Sequence, residues 1–173
     1  MILNLKLVRI DCNYCDYLRE FDNRVPYNKN EKELRPFIGI LFTIKGCEYF
    51  APLSSPKPKH LKMKNTIDFF KIDNGILGAV NFNNMIPVKE NNYKIINLNE
   101  KNLTLSENKY QELLKDQLNW LNENYIQVKN KSSKLYNLYI DNKLSDNIKS
   151  RCCNFKLLEE KCNDYNNTNW LKN

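Results

Sequence analysis

One short segment of the chain concentrates hydroxyl groups, ammonium groups and the only histidine of the sequence. It spans residues 49–64 and turns from apolar to basic along its length. Its chemically capable residues are Ser54, Ser55, Lys57, Lys59, His60, Lys62 and Lys64. Ammonium groups and hydroxyls are among the side chains that contact phosphate oxygens in nucleic acids. The set therefore indicates a polyanionic ligand, and RNA in particular.

Pro56 and Pro58 stiffen the basic part of this segment. A residue that precedes proline is pushed out of the α region into extended geometry, and this applies to Ser55 and Lys57. We therefore expect an extended loop over residues 54–59 whose donors are held in place before a substrate binds. Such donors favour catalysis because they need not reorganise as charge develops.

If RNA is the substrate, the simplest cleavage without a metal uses the ribose 2′-hydroxyl as nucleophile on the adjacent phosphate. The site must then remove one proton, hold a phosphorane and protonate the leaving 5′-oxygen. A two-histidine mechanism is excluded because His60 is the only histidine. Lys57 is the first candidate for stabilising the phosphorane, and Ser55 and Ser54 are candidates for hydrogen bonds to the 2′-hydroxyl or phosphate. Proton transfer by Lys57, by His60 or by the RNA itself stays open.

Other interpretations fit the same residues. A lysine-rich loop after a strand is also typical of a solvated turn, or of a noncatalytic RNA-binding module that only holds phosphates. A protein-binding module is a third class, and its binding would depend little on salt. The rings of Tyr17 and Phe21 are candidates for stacking on unpaired bases, with a place in the core as the alternative.

The composition agrees with one folded domain and an acidic partner. The chain has 173 residues, a net charge of +7 and a hydrophobic fraction of 42%, which fits one domain with a real core. No apolar run approaches the ~20 residues of a spanning helix, and the alternating N-terminus indicates a strand rather than a signal peptide. We expect one cytoplasmic domain over residues 1–173, strand-rich to about residue 100 and helical over about 104–165, without a membrane partner.

The six cysteines raise the question of a metal. Cys12 and Cys15 have the spacing of a zinc half-site, but no second CxxC pair accompanies them. Without a signal peptide a disulfide framework is not expected. We predict buried, reduced thiols and no metal or other cofactor.

Periodicity predicts a strand-rich half followed by helices. Strands are expected over residues 2–10, 37–44, 48–53, 68–72, 77–82 and 85–88, with tight turns at 45–47 and 73–75. Pro87 indicates an edge strand. Helices are expected over residues 16–22, from Ser106 as N-cap to Tyr125, over 133–144 and over 153–165, with a fraying tail after Asp164. Short strands and tight turns fit a small closed or half-closed antiparallel barrel.

The order of these motifs resembles the ToxN/AbiQ-like endoribonucleases, the toxin family of type III toxin–antitoxin systems. The Ala-Pro-Leu-Ser-Ser-Pro-Lys element at residues 51–57 is its most specific part. The other elements, in chain order, are residues 17–22, 25–26, 37–40, 49–50, 77–78, 85–88 and 153–161.

The resemblance implies a compact SH3-like barrel of the Kid/MazF type with additional, mainly C-terminal helices. It implies metal-independent cleavage that leaves 2′,3′-cyclic phosphate ends on cellular and phage RNA, with abortive infection as the outcome. The implied partner is a repeated antitoxin RNA that folds as a pseudoknot, is processed by the toxin and closes a cyclic protein–RNA assembly.

The resemblance also implies site residues. It assigns active-site roles to Ser54, Ser55 and Lys57, and to a tyrosine between the 25–26 and 37–40 elements, where Tyr27 lies. Lys59 and His60 are added as much from chemistry as from resemblance. Lys62 and Lys64 extend the expected RNA-binding surface.

Overall fold

Residues 4–27 and 35–165 are described by a computed structural model, in which an antiparallel sheet is covered by helices. The strands are β1 (Lys6–Ile10), β2 (Phe37–Gly39), β3 (Thr43–Ile44), β4 (Cys47–Ser54), β5 (Phe69–Ile72), β6 (Gly78–Asn81), β7 (Ile86–Val88) and β8 (Tyr93–Ile95). The helices are α1 (Cys12–Phe21), α2 (Pro58–Lys62), α3 (Leu105–Glu123), α4 (Tyr125–Ile140), α5 (Asp146–Arg151) and α6 (Phe155–Asp164). The prediction of an antiparallel α+β protein is confirmed.

The long strand β4 organises the sheet. The order is β5-β6-β4-β2-β1-β8, and β3 and β7 also pair with β4. One end of β4 pairs with β7 and the other with β6, where Ser54 lies opposite Ala79. Pro87 lies in β7, which pairs only with β4 in the described sheet, so the edge position predicted for this proline is confirmed there. In the described residues the sheet is open, with β5 and β8 at its two ends.

The predicted strand over residues 37–44 is divided in two. β2 ends at Gly39 and β3 begins at Thr43. Hydrogen bonds of 2.9 Å from Leu41 N to Tyr49 O and from Tyr49 N to Phe42 O hold the intervening residues against β4. The apolar pattern was therefore right about the burial of Phe37, Ile38 and Leu41 and wrong about regular pairing.

The helix boundaries differ from the sequence prediction because other residues cap them. α1 begins at Cys12, since the carboxylate of Asp11 accepts a hydrogen bond from the N–H of Asn13 (3.2 Å). α3 begins at Leu105, because Thr104 and Glu107 form a capping box, so the choice of Ser106 as N-cap was wrong.

The other helices differ as well. α4 covers Tyr125–Ile140 rather than residues 133–144, and α5 was not predicted. The tail predicted to fray lies almost entirely outside the described residues.

A buried carboxylate joins the helical layer to β4. Glu159 of α6 is 3% exposed and accepts hydrogen bonds from the hydroxyls of Tyr49 (2.7 Å) and Tyr136 (2.6 Å). Tyr49 lies on β4 and Tyr136 on α4, so three elements meet at one carboxylate. Two hydroxyl donors offset the cost of burying it. The helices thereby fix β4, and with it the loop that follows.

The thiols are part of the core. All six cysteines are free, and five of them are buried, which confirms the prediction of buried thiols for all but the half-buried Cys12. In the described part of the chain, no helix has the length and apolar character needed to cross a membrane.

Candidate active site

The candidate site begins at Ser54, the last residue of β4. The Ser54 side chain is half-buried, and its Oγ accepts a hydrogen bond of 2.8 Å from Nδ2 of Asn81. Because that bond uses an acceptor position, the Ser54 O–H is still able to donate. Ser55 follows in an exposed position as the chain leaves the sheet. The two serines predicted for the site are therefore consecutive residues at the point where the chain leaves the sheet, and Asn81 orients the hydroxyl of the first.

A close backbone approach fixes this end of β4. Gly78, the first residue of β6, has φ +104°, and a Cβ added there would lie 2.0 Å from the carbonyl oxygen of Ser54. Only glycine both adopts this φ readily and leaves room for that oxygen. The start of β6 is thus pressed against the peptide that joins Ser54 to Ser55.

The expected extended loop is shorter than predicted. Lys57 has the predicted extended backbone (φ −137°, ψ 146°), but α2 begins at the next residue. Pro58 is suited to the first position of a helix, where its missing N–H costs nothing. The N–H of His60 closes the first turn on the carbonyl of Lys57 (2.9 Å). Lys57 is exposed where the loop meets the helix, while Lys59, His60 and Lys62 belong to α2.

The structure buries His60, in contrast to its neighbouring lysines. Its side chain is 2% exposed, and its ring lies 5.8 Å from the ring of Phe69. A Cβ at Gly75 would lie 2.7 Å from the His60 carbonyl oxygen, so the turn after β5 packs directly on α2. Burial, followed by the charges of Lys57 and Lys59, lowers the pKa of His60. The His60 ring is thus buried, whereas the side chains of Lys57, Lys59 and Lys62 are exposed.

Lys71 is a lysine near Ser54 that sequence reasoning did not assign to the site. Lys57, Lys59, Lys62 and Lys64 are exposed, as predicted. Lys71 of β5 is paired with Ala79 of β6, and Ala79 is paired with Ser54 of β4.

Directly paired residues point to the same face of a sheet, so Lys71 and Ser54 share a face, with their Cα atoms about 10 Å apart. The same alternation puts Asn81 on that face. The strand register, which pattern alone did not supply, is the signal that locates both residues.

The aromatic residues predicted to bind bases lie elsewhere. The ring of Tyr17 is 5.3 Å from Phe21 and 4.8 Å from Tyr165, and the Lys161 ammonium lies 4.6 Å from the centroid of Phe21. These contacts join α1 to α6. Tyr17 and Phe21 thus form a second group. In the described part of the chain, neither ring contacts Ser54 or the loop that follows β4.

Tyr27 is the tyrosine for which the resemblance implies a site role. It is 44% exposed, and the Arg19 guanidinium lies 4.9 Å from its ring centroid. Arg19 also donates to the carbonyl of Pro26 (2.8 Å), which anchors the backbone before Tyr27. The segment 28–34 that follows is outside the described residues.

An ion pair anchors the far side of the site. Arg151 donates to both carboxylate oxygens of Asp68 (2.5 and 3.0 Å), and the Thr66 hydroxyl donates to the same group (2.8 Å). Burial works to raise the pKa of Asp68, but the hydrogen bonds from Arg151 and Thr66 outweigh it and hold the pKa below its ordinary value. This fixes the start of β5, on which Lys71 lies, against α5.

A cluster of metal-ligating side chains is not found in the described part of the chain. Over residues 4–27 and 35–165, no three His, Cys, Asp or Glu side chains lie close enough together to hold an ion. The candidate site is therefore built from hydroxyls, an amide and ammonium groups.

The fold and this site define an α+β protein whose central strand ends in a hydroxyl-bearing, cationic surface suited to a polyanion. A sequence model described as "Toxin ToxN, type III toxin-antitoxin system" matches residues 6–163. The chain belongs to this ToxN toxin family.

Two curated relatives are named Endoribonuclease ToxN. The one from Bacillus thuringiensis subsp. kurstaki is 39% identical over 166 residues, which cover 94% of this chain and 84% of the relative. The one from Pectobacterium atrosepticum is 34% identical over 169 residues, which cover 93% of this chain and 94% of the relative.

Solved structures share the fold. A chain from a study of selective toxin inhibition by a non-coding RNA pseudoknot is 38% identical, with a TM-score of 0.78 over 94% of this chain and 98% of its own. AbiQ, a lactococcal anti-phage endoribonuclease of a type III toxin–antitoxin system, is 25% identical, with the same TM-score and coverage.

Proposed function

We propose that this protein is an endoribonuclease toxin of a type III toxin–antitoxin system. The observation that carries the proposal is the meeting of Ser54, Ser55 and Lys57 at the end of β4, in a chain of the ToxN family. The relatives named as endoribonucleases support the reaction class.

The proposed reaction is attack by a ribose 2′-hydroxyl on the adjacent phosphorus. The bond from phosphorus to the 5′-oxygen breaks, the 2′-oxygen loses its proton and the 5′-oxygen gains one, which leaves a 2′,3′-cyclic phosphate. Lys57 stabilises the charge that develops on the phosphorane, with Lys71 as a second cation on the same face as Ser54. Ser55 and Ser54 donate hydrogen bonds to phosphate oxygens or position the 2′-hydroxyl. Tyr27 is kept as a further proposed contributor from the segment before β2.

The proposed RNA-binding surface comprises Lys59, Lys62 and Lys64 around this centre. Tyr17 and Phe21 provide a second surface for bases at the contact of α1 and α6. The buried His60 is proposed to act through the position of α2 and not as a proton donor to RNA, because its ring is 2% exposed.

The proposed partner is an antitoxin RNA. One structural relative comes from work on toxin inhibition by an RNA pseudoknot and another is an anti-phage endoribonuclease, which support the same partner and role here. We propose a repeated pseudoknot RNA that the toxin processes, a cyclic protein–RNA assembly, and cellular and phage transcripts as substrates in the cytoplasm. We further propose that residues 1–173 act as one domain and that its antiparallel sheet is related to the compact SH3-like barrel of the Kid/MazF type.

The test compares cleavage by the parent protein, Ser55→Ala, Lys57→Ala and Lys109→Ala. Lys109 is an exposed lysine on α3 and serves as the matched control. We expect Ser55→Ala and Lys57→Ala to lower the single-turnover rate by about a hundredfold or more, with Lys109→Ala unchanged. If all variants bind RNA and the parent does not cleave it, the noncatalytic RNA-binding alternative replaces this proposal.

A further inference from the structure

An apolar cleft opens directly beside Lys57. It lies between α2 and the turn after β5, has a volume of about 340 Å³ and is lined by Pro56, Lys57, Pro58, Leu61, Gly75 and Ile76. Leu61 and Ile76 are each 60% exposed. Exposed apolar side chains that line one concave patch are typical of ligand-binding grooves.

The two walls of this cleft are fixed before any ligand arrives. Gly75 packs against the backbone of His60, so the turn that carries Ile76 is pressed onto the helix that carries Leu61. The N–H of Ile76 donates to the carbonyl of Asp73 (2.9 Å), which closes the turn. A cleft with preset walls binds without the entropic cost of ordering them.

The cleft is also fixed relative to the proposed reaction centre. Lys57 belongs both to its lining and to the proposed catalytic group. On the other side, Gly78 follows Ile76 by two residues and is pressed against the carbonyl of Ser54. A group held in the cleft therefore has a set position relative to the Ser54 and Ser55 hydroxyls.

The charge on the loop and α2 side of the cleft favours an anionic occupant. Between residues 54 and 64 the chain carries four lysines and no acidic residue, and the turn on the other side contributes one carboxylate, Asp73. A fitting ligand combines an apolar, flat part with negative charge immediately beside it. A nucleotide does so, because its base offers two apolar faces and its phosphate is the partner of lysine.

We propose that the cleft is a subsite for one unpaired nucleobase next to the scissile phosphate. This deepens the proposed function and rests on it. The walls are mostly apolar and provide few hydrogen-bond donors. The subsite therefore contacts the faces of a base and discriminates little between the hydrogen-bonding edges of different bases. A paired base has its faces covered by neighbours, so the subsite also favours single-stranded RNA.

The experiment is a double-mutant cycle that combines substitutions in the protein with abasic substitutions in the RNA. Leu61→Ser combined with Ile76→Ser removes the apolar walls, and a series of oligonucleotides carries one abasic residue at each position flanking the cleaved bond. We expect one abasic position to lower the parent's kcat/KM about tenfold, the scale of losing one stacked base. In the double variant, an abasic residue at that position should not lower kcat/KM any further. Ile95→Ser, on β8 at the opposite end of the sheet and 59% exposed, is the matched control and should retain the full abasic effect.

The outcomes distinguish failure of the base subsite from failure of the proposed endoribonuclease function. If the abasic effect is equally large in the double variant, or if no position shows it, the subsite is wrong even though cleavage continues. If the parent cleaves no RNA, the proposed function fails, and the same cycle measured as the Kd of 2′-O-methyl oligonucleotides decides the subsite. A double variant that changes the oligomeric state and leaves the coupling intact assigns the cleft to a protein contact instead.

Discussion

Ser54 and Asn81 are joined by a hydrogen bond of 2.8 Å from Nδ2 of Asn81 to Oγ of Ser54, between the last residues of β4 and β6. The bond crosses two adjacent strands, so it depends on the register that sets Ser54 opposite Ala79. It holds the hydroxyl at the point where the chain turns away from the sheet towards Lys57. We therefore expect Asn81 to act by positioning the Ser54 hydroxyl.

Replacing Asn81 by alanine should slow cleavage without weakening RNA binding. The Ser54 hydroxyl would lose its fixed orientation, and we expect a loss of about five- to tenfold in the single-turnover rate, the scale of one hydrogen bond. Because Asn81 acts through Ser54, the double variant with Ser54→Ala should be no slower than Ser54→Ala alone. Additive losses would show that Asn81 has a separate role.

Lys71 should contribute a phosphate contact. In Lys71→Met we expect the slope of log K against log salt concentration to become shallower by about 0.7, the value for one phosphate on a single strand. The rate at saturating RNA should fall as well. Lys109→Met, which changes a lysine outside the proposed site, should alter neither quantity, and equal effects in the two variants would remove Lys71 from the site.

Gly78→Ala should destabilise the protein more than Gly46→Ala. Both glycines have positive φ, +78° at Gly46 and +104° at Gly78, but only at Gly78 does an added Cβ meet a backbone oxygen. Gly46→Ala should cost about 1–2 kcal/mol from its conformation alone. Denaturant titration compares the two free energies of unfolding, and a smaller loss at Gly78 would contradict the close approach to Ser54.

Acid should weaken the folded protein through His60. Burial and two lysines lower its pKa in the folded state, whereas the unfolded chain protonates it near 6.5. Between the folded pKa and 6.5 the unfolded state binds more protons than the folded state. The free energy of unfolding is therefore unaffected by His60 above pH 6.5 and falls as the pH drops from 6.5 through the folded pKa. Between pH 7.5 and 5.5 the melting temperature of the parent should fall further than that of His60→Phe or His60→Asn. Parallel losses in all three proteins would count against a buried, neutral His60.

The sequence was sufficient for several features that depend on neighbours along the chain. The apolar run before Ser54 predicted β4, the turn at residues 45–47 predicted its hairpin, and prolines predicted the extended backbone at Lys57. It was not sufficient for features that depend on pairing between distant segments.

Asn81 and Lys71 look like ordinary polar positions of short strands until the register places them beside Ser54. His60 looks exposed within a lysine-rich segment, and only the packing of Gly75 against α2 reveals its burial. Leu61 and Ile76 are 15 residues apart in sequence, so no local pattern joins them into a cleft.

Attack by the ribose 2′-hydroxyl is tested most directly by giving the parent protein one RNA substrate that carries a single 2′-deoxy residue on the 5′ side of the cleaved bond. We expect this substitution to abolish cleavage at that bond. We also expect the all-ribose substrate to yield 2′,3′-cyclic phosphate ends, detected by mass spectrometry. Cleavage of the deoxy-substituted bond at an unchanged rate, or a linear 3′-hydroxyl product from the all-ribose substrate, would contradict attack by the 2′-hydroxyl.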